Sequence, residues 1–176
     1  MNVEEAIKTR RSIRKYRQKA VPEEFILKVI EAGRLAPSGN NAQPARYIII
    51  ESEKVKQELK ENKIFKQAFV YTAPALIVCC GDSESYPKSK IDPGLDDPFP
   101  IRAVRDVAIA AENMVLQATE LGLGTCYIGW TDKPKIKNLL NIPDDYVVPF
   151  VITLGYPDEK PSETSRKKMG DILKRV

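Results

Sequence analysis

Apolar residues recur along this chain with two different periods, and the switches between them mark its elements. Asn2 to Thr9 begins with a capping side chain and carries Glu4 and Glu5 in its first turn, which predicts a short helix. A second helix opens at Pro22 with Glu23 and Glu24. Its Phe25, Ile26, Val29, Ile30 and Gly33 keep the three-and-four spacing of one buried face. Pro37 stops it, because a residue before proline is pushed out of the helical region. The β-branched run Tyr47–Ile50 reads as a strand and the weakly patterned Glu53–Ala68 as a helix. Ala75–Cys80 is apolar on both faces, as a central strand should be. Asp, Ser, Pro and Gly crowd Gly81–Pro100, which predicts a loop, either a lid or a surface flap.

The pattern then changes. From Ile101 to Leu121 apolar residues cover nearly the whole helical circumference, so burial all round is expected. Either a second copy of the chain covers the outer face, in a homodimer along this helix, or the chain's own lid does. Thr125–Ile128 follows as a strand. Thr131 or Asp132 then caps a short helix carrying Ile136, Leu139 and Leu140. Tyr146–Leu154 is a last strand in which Pro149 demands an edge position or a bulge. Helices and strands alternate only in part. The fold class is therefore α+β, a mixed central sheet packed by helices in a single domain of residues 1–176.

Composition narrows the chemistry. The chain has no histidine, which removes imidazole-based nucleophilic catalysis and imidazole metal sites. Its three cysteines lie in apolar runs and match no zinc spacing, so they read as buried free thiols in a reducing compartment. No apolar run is long enough to cross a bilayer and no leader pattern opens the sequence, so a cytoplasmic protein with no membrane partner is expected. The net charge of +4 is mild for a nucleic-acid binder, which usually carries a stronger continuous stripe; a non-catalytic anion-binding module stays open beside an enzyme.

Charge distribution says more than its total. Arg10, Arg11, Ser12 and Arg14 cluster near the start, and Arg166, Lys167 and Lys168 near the end. Guanidinium groups match phosphate oxygens with paired N–H donors. If the chain runs extended after Thr9, positions 10, 12 and 14 share one side; a solvated charge run is the plainer alternative. Between the clusters, Pro37-Ser38-Gly39-Asn40-Asn41-Ala42-Gln43-Pro44 offers neutral hydrogen-bonding groups suited to a flat heterocycle. Together they point to a phosphorylated cofactor with an aromatic ring. Gly122-Leu123-Gly124 lacks the third glycine and the strand-then-helix context of a dinucleotide fingerprint, and reads instead as a left-handed helix cap. Gly129, where a strand ends, permits either a bend or the close approach of a ligand plane.

These segments, in order, resemble the nitroreductase family of compact FMN-dependent oxidoreductases. The resemblance rests on Arg10-Arg11-Ser12-Ile13-Arg14 with Tyr16, Pro37-Ser38 with Asn41, Gln43 and Pro44, Glu120–Thr125 running into Ile128-Gly129, and Leu154–Pro157 with the basic tail. Ala45 departs from the aromatic residue that often follows the Gln-Pro pair. The resemblance implies FMN at the interface of a homodimer, with NAD(P)H as co-substrate and a small flat acceptor (a nitroaromatic, quinone or enone) reduced by a ping-pong mechanism. Reductive dehalogenation and flavin fragmentation are other chemistries of the same scaffold. It places Arg10, Arg11, Ser12, Arg166 and Lys167 on the phosphate and ribityl side. Arg14 is expected at the pyrimidine edge and Ile128-Gly129 at the hydride-accepting nitrogen. Pro37, Ser38, Gly39 and Asn41 would come from the other subunit and border the ring, with Gln43 fixing that loop. No side chain is expected to carry the chemistry itself; Arg14 and Gly129 tune the flavin, and no metal takes part.

Overall fold

A computed structural model describes residues 1–87 and 99–176. The expected lid or flap of Gly81–Pro100 falls mostly outside the described residues; Gly81 and Asp82 instead extend a strand. The elements are α1 (Val3–Thr9), α2 (Glu23–Arg34), β1 (Ala45–Ile50), α3 (Glu53–Glu61), β2 (Ala75–Asp82), α4 (Phe99–Glu120), β3 (Gly124–Ile128), α5 (Lys133–Leu139), β4 (Tyr146–Gly155) and α6 (Met169–Ile172). Short 3-10 turns occupy Gly39–Asn41, Ala68–Thr72 and Ser83–Ser85.

The strands form one sheet in the order β1-β2-β4-β3, paired antiparallel throughout. The mixed character expected of the sheet is confined to its β3 edge, where Ser12 forms a parallel bridge with Thr125. On β2 the side chains alternate with the period of a strand. Leu76, Val78 and Cys80 enter a core shared with Leu59 and Ile136, while Ala75, Ile77 and Cys79 enter one shared with Val29, Val107 and Met114. Helices thus cover both faces, α3 and α5 on one and α2 and α4 on the other, with β2 central as its apolar run required.

Several local readings hold in detail. Asn2 caps α1 in a reciprocal box with Glu5. Gly122 takes φ +73, and the Gly122 and Leu123 N–H groups donate to the Thr119 and Ala118 carbonyls, a Schellman ending for α4. Pro149 stands in a bulge: between the pairs Cys79–Phe150 and Gly81–Val147, Cys80 faces both Val148 and Pro149. β4 is not an edge strand, so the bulge alone accommodates this proline.

One expectation fails. The helix expected over Glu53–Ala68 ends at Glu61, because Asn62 and Lys63 close it and Lys63 turns left-handed at φ 54. Within one chain helix α4 is covered on one side. Its Ala103, Val107, Ala111, Met114 and Ala118 pack inward, yet Ile101, Val104 and Ile109 stay exposed. Among the described residues no helix is long and apolar enough to cross a membrane.

Cys79, Cys80 and Cys126 are all free and buried. Burial pushes the Cys80 thiol up to about 11 from 9.0, and the other two thiols shift the same way for the same reason. The folded protein is therefore expected to leave all three unlabelled by a thiol reagent at about pH 8, all reacting once urea unfolds the chain. A raised thiol pKa contributes stability that is complete below the unfolded value and lost as pH rises. Urea midpoints should fall between pH 9.0 and about 11. A thiol that labels in the native state at neutral pH would contradict this burial.

Candidate functional site

The N-terminal cations owe their placement to the edge of β3. Arg10 closes α1 with φ −53 and ψ 128, so the chain leaves the helix extended. Ile13 N–H then donates to the Thr125 carbonyl at 2.8 Å, and the Ile13 side chain is buried. A Cβ on Gly124 would stand 2.6 Å from Ile13 Cγ1, so glycine is what lets the segment lie this close. Further along, the Tyr16 hydroxyl donates to the Ile13 carbonyl at 2.6 Å, and Arg17 N–H donates to the Tyr156 carbonyl at 2.9 Å. Glu159 accepts the backbone N–H groups of Arg14 and Lys15.

Arg10, Ser12 and Arg14 all lie near enough to the Cys126 thiol to favour its ionised form, against the larger effect of burial. Neither Arg10 nor Arg14 has a carboxylate partner among the described residues. Arg11 is occupied. It donates to the Lys8 and Arg10 carbonyls and pairs with Glu163 at 3.0 Å, while its Nε is buried without a partner.

The Arg11–Glu163 pair also brings the tail back to this edge. Arg166 is three residues beyond Glu163, within about 10 Å of chain. Its guanidinium is exposed and donates to its own neighbours, the Thr164 and Ser165 carbonyls and Thr164 Oγ1. Lys167 is exposed as well.

The amide loop sits elsewhere. Asn40, Asn41 and Gln43 all take left-handed backbone, at φ 54, 54 and 50. Asparagine tolerates that region better than most residues; for a residue with a Cβ it costs about 1–2 kcal/mol. Three such residues in four positions need anchors, and the structure supplies them. Ser38 Oγ accepts Gln43 N–H at 2.8 Å, the Gln43 side chain donates to the Asn41 carbonyl at 3.2 Å, and Asp106 accepts Gly39 N–H at 2.8 Å. Pro37, Ser38 and Gln43 border a cleft of ≈ 590 Å³ whose apolar wall includes Ile26, Leu27, Ile30 and Ala45. The small Ala45 leaves this cleft open where a larger side chain would fill it.

Gly129 ends β3, with Ile128 buried just before it. A Cβ at Gly129 would meet nothing within 4 Å, and its φ lies outside the left-handed region. Neither packing nor the bend requires glycine here. Gly129 and Trp130 line a second cleft of ≈ 370 Å³ with Lys63, Lys66 and Asp132.

The structure therefore brings Arg10, Ser12, Arg14, Ile128 and Gly129 to the β3 edge and Pro37, Ser38, Gly39, Asn41 and Gln43 to the approach of β1. Those edges are opposite ends of the sheet, three strand spacings or about 14 Å apart.

Sequence reasoning passed over Asp106, the buried anchor of the amide loop. It accepts Tyr86 Oη–H at 2.9 Å as well as Gly39 N–H, and Arg105 Nε lies 3.3 Å away. Burial, then the Asp106 bond and charge, push the Tyr86 phenol well above its usual range. The available signal was a carboxylate on the inward face between Ala103 and Ala110, where the helical period calls for an apolar residue.

Comparison with known proteins matches residues 7–156 to the model of the nitroreductase family. A Methanothermobacter thermautotrophicus protein named for NADH dehydrogenase and NAD(P)H nitroreductase activity is 41% identical over 92% of this chain and 80% of its own. The Vibrio harveyi NADPH:FMN oxidoreductase, solved with NAD+, superposes with TM-score 0.85 at 28% identity, covering 99% of this chain and 77% of that one. An Exiguobacterium sibiricum protein solved with FMN shares the fold at TM-score 0.89 and 22% identity, over 100% of this chain and 98% of that one.

Removing the Asp106 carboxylate should take from the Gly39 N–H its acceptor and from the Tyr86 hydroxyl one of its partners. Asp106→Ala is expected to cost about 2 kcal/mol or more in urea unfolding and to speed amide exchange at Gly39. Unchanged exchange at Gly39 would show that the loop holds itself.

Proposed function

The chain belongs to the nitroreductase family, and we propose that residues 1–176 act as one FMN-binding unit of a homodimer that oxidises NAD(P)H. The observation that carries this reading is the division of the candidate site. Cations without carboxylate partners among the described residues lie on the β3 edge and a strained amide loop lies at the opposite edge, two halves that a second copy would bring onto one flat ligand. The exposed Ile101, Val104 and Ile109 of α4, and Met169, Ile172 and Leu173 of the tail, support a second copy as their cover.

The residues suit FMN. Arg10 and Ser12 offer a guanidinium without a carboxylate partner among the described residues and a hydroxyl for a phosphate; Arg11 adds charge beside them, and Arg166 and Lys167 add charge from the returning tail. Arg11 would have to share its guanidinium with Glu163. Pro37, Ser38, Gly39, Asn41 and Gln43 of the other copy would border the ring. Gly129, kept bare where its own chain does not need it, would let the ring plane approach Ile128-Gly129 and expose the Gly129 N–H to it. When bound, FMN supplies hydride transfer from NAD(P)H to a small flat acceptor such as a nitroaromatic, quinone or enone. The chain's part is to bind, to orient and to set potential. Arg14 is suited to the last role because among the described residues its guanidinium has no carboxylate partner, so its charge favours an anionic reduced ring. Three buried thiols without disulfides support work in a reducing compartment, as the cytoplasm is.

Purified protein should be yellow and should oxidise NADH or NADPH only when FMN is present; protein that takes up no FMN would refute the reading. Gly129→Ala is expected to leave the apoprotein's melting temperature unchanged while weakening FMN binding, since only a ligand meets the added methyl. Equal FMN affinity in Gly129→Ala would remove that glycine from the site. Arg14→Ala should lower the flavin reduction potential, and an unaltered potential in anaerobic titration would deny Arg14 its role.

A further inference from the structure

The cleft beside Gly129 is built more firmly than an open surface needs. Phe65 bridges Thr131 antiparallel, and Asp132 N–H donates to the Ile64 carbonyl at 2.9 Å. Both backbone groups of Phe65 are held by one hydroxyl, with Phe65 N–H donating to Tyr71 Oη at 2.8 Å and Tyr71 Oη–H donating to the Phe65 carbonyl at 2.9 Å. Ile64 and Phe65 are buried, so the lysines on either side of them, Lys63 and Lys66, rise from fixed backbone. Across the cleft stands Trp130, the chain's single tryptophan, 67% exposed, with Lys66 Nζ 4.7 Å from its ring centroid.

Charge around this cleft is one-sided. Among the described residues neither Lys63 nor Lys66 has a carboxylate partner. The cleft's carboxylate, Asp132, is already engaged. It accepts Lys135 N–H at 3.2 Å, capping α5, and pairs with Lys135 Nζ at 3.1 Å. Two uncompensated ammonium groups and an exposed aromatic face therefore line ≈ 370 Å³ of space, a volume in the range of small-molecule sites. The Arg10–Arg14 cluster cannot share this anion. Gly129 lies four residues past Thr125, about 13 Å along a strand from the Ser12 bridge.

We propose that this cleft receives the anionic end of a flat substrate, with Lys63 and Lys66 taking the negative charge and Trp130 the plane of the attached group. The inference rests on the reading that Gly129 borders FMN, since that puts the cleft beside the reacting ring. The anion has two sources, a phosphate of the nicotinamide nucleotide or a carboxylate on the acceptor, and charged–neutral pairs tell them apart. The acceptor pair is 4-nitrobenzoate against 4-nitrobenzamide. The donor pair is NADH or NADPH against 1-benzyl-1,4-dihydronicotinamide, which lacks phosphate.

In FMN-loaded enzyme, Lys63→Gln and Lys66→Gln are each expected to lower the charged-to-neutral ratio of kcat/KM about fivefold in one of the two arms, with Lys66→Arg restoring it. The affected arm identifies the anion's source. Titrating that arm's charged probe, 4-nitrobenzoate or oxidised NADP+, into flavin-loaded wild type should quench Trp130 fluorescence saturably. Its loss in Lys66→Gln is a readout independent of turnover. Ratios that stay within about twofold of wild type in both arms would overturn the inference and leave FMN binding standing. Protein that binds no FMN would instead fail the underlying reading, and its flavin absorbance, measured first, separates the two results.

Discussion

One short contact organises the molecule: the Ile13 N–H on the Thr125 carbonyl, made possible because Gly124 has no side chain. With a Cβ at position 124 the segment from Arg10 to Tyr16 could not lie along β3. It would leave α1 as a solvated cationic strand whose side chains point anywhere. Held down, Ile13 and Tyr16 go into the core, Arg11 turns back to α1 and the tail, and Arg10, Ser12 and Arg14 stay near the Cys126 thiol. A neutral backbone contact thus decides which arginines are free to meet an anion.

The same contact divides the candidate site. It fixes the cations at the β3 edge, while the loop carrying Ser38, Asn41 and Gln43 enters β1 at the other end of the sheet. That loop stores backbone strain that Asp106 holds from inside the fold, through an acceptor shared by Gly39 and Tyr86. Strain of this kind persists only where the surroundings over-determine it. The amide loop and the cationic edge are each tied to the fold by hydrogen bonds, and on the proposed reading each is half of a site. Exposed apolar residues on α4 and the tail are consistent with the missing half being a second copy.

Much of this could be read in the residues because its causes are local. The capping box at Asn2, the left-handed Gly122 and the bulge at Pro149 each follow from one residue's stereochemistry. What escaped was set by distant partners. Nothing near Lys63 announces that α3 stops there, since a lysine in left-handed backbone is tolerated only because the chain must turn toward the Phe65–Thr131 bridge. Asp106 shows in the sequence as a carboxylate on an apolar helix face, but its partners Gly39 and Tyr86 are far from it in the chain. The antiparallel sheet escaped for a related reason: strand direction is decided by connections that periodicity does not report.

The account's central claim is that one flavin is held by the β3 edge of one copy and the amide loop of another. Mixing two inactive variants tests it most directly, one carrying Arg10→Glu and Arg14→Glu, the other Ser38→Ala and Gln43→Ala. In a twofold pair formed from one chain of each, one site receives every substitution and the other receives none. The account requires that unfolding and refolding the variants together restore flavin binding that neither shows alone. If the mixture stays colourless although mixed pairs form, each site lies within a single chain and the division argued from the sheet is wrong.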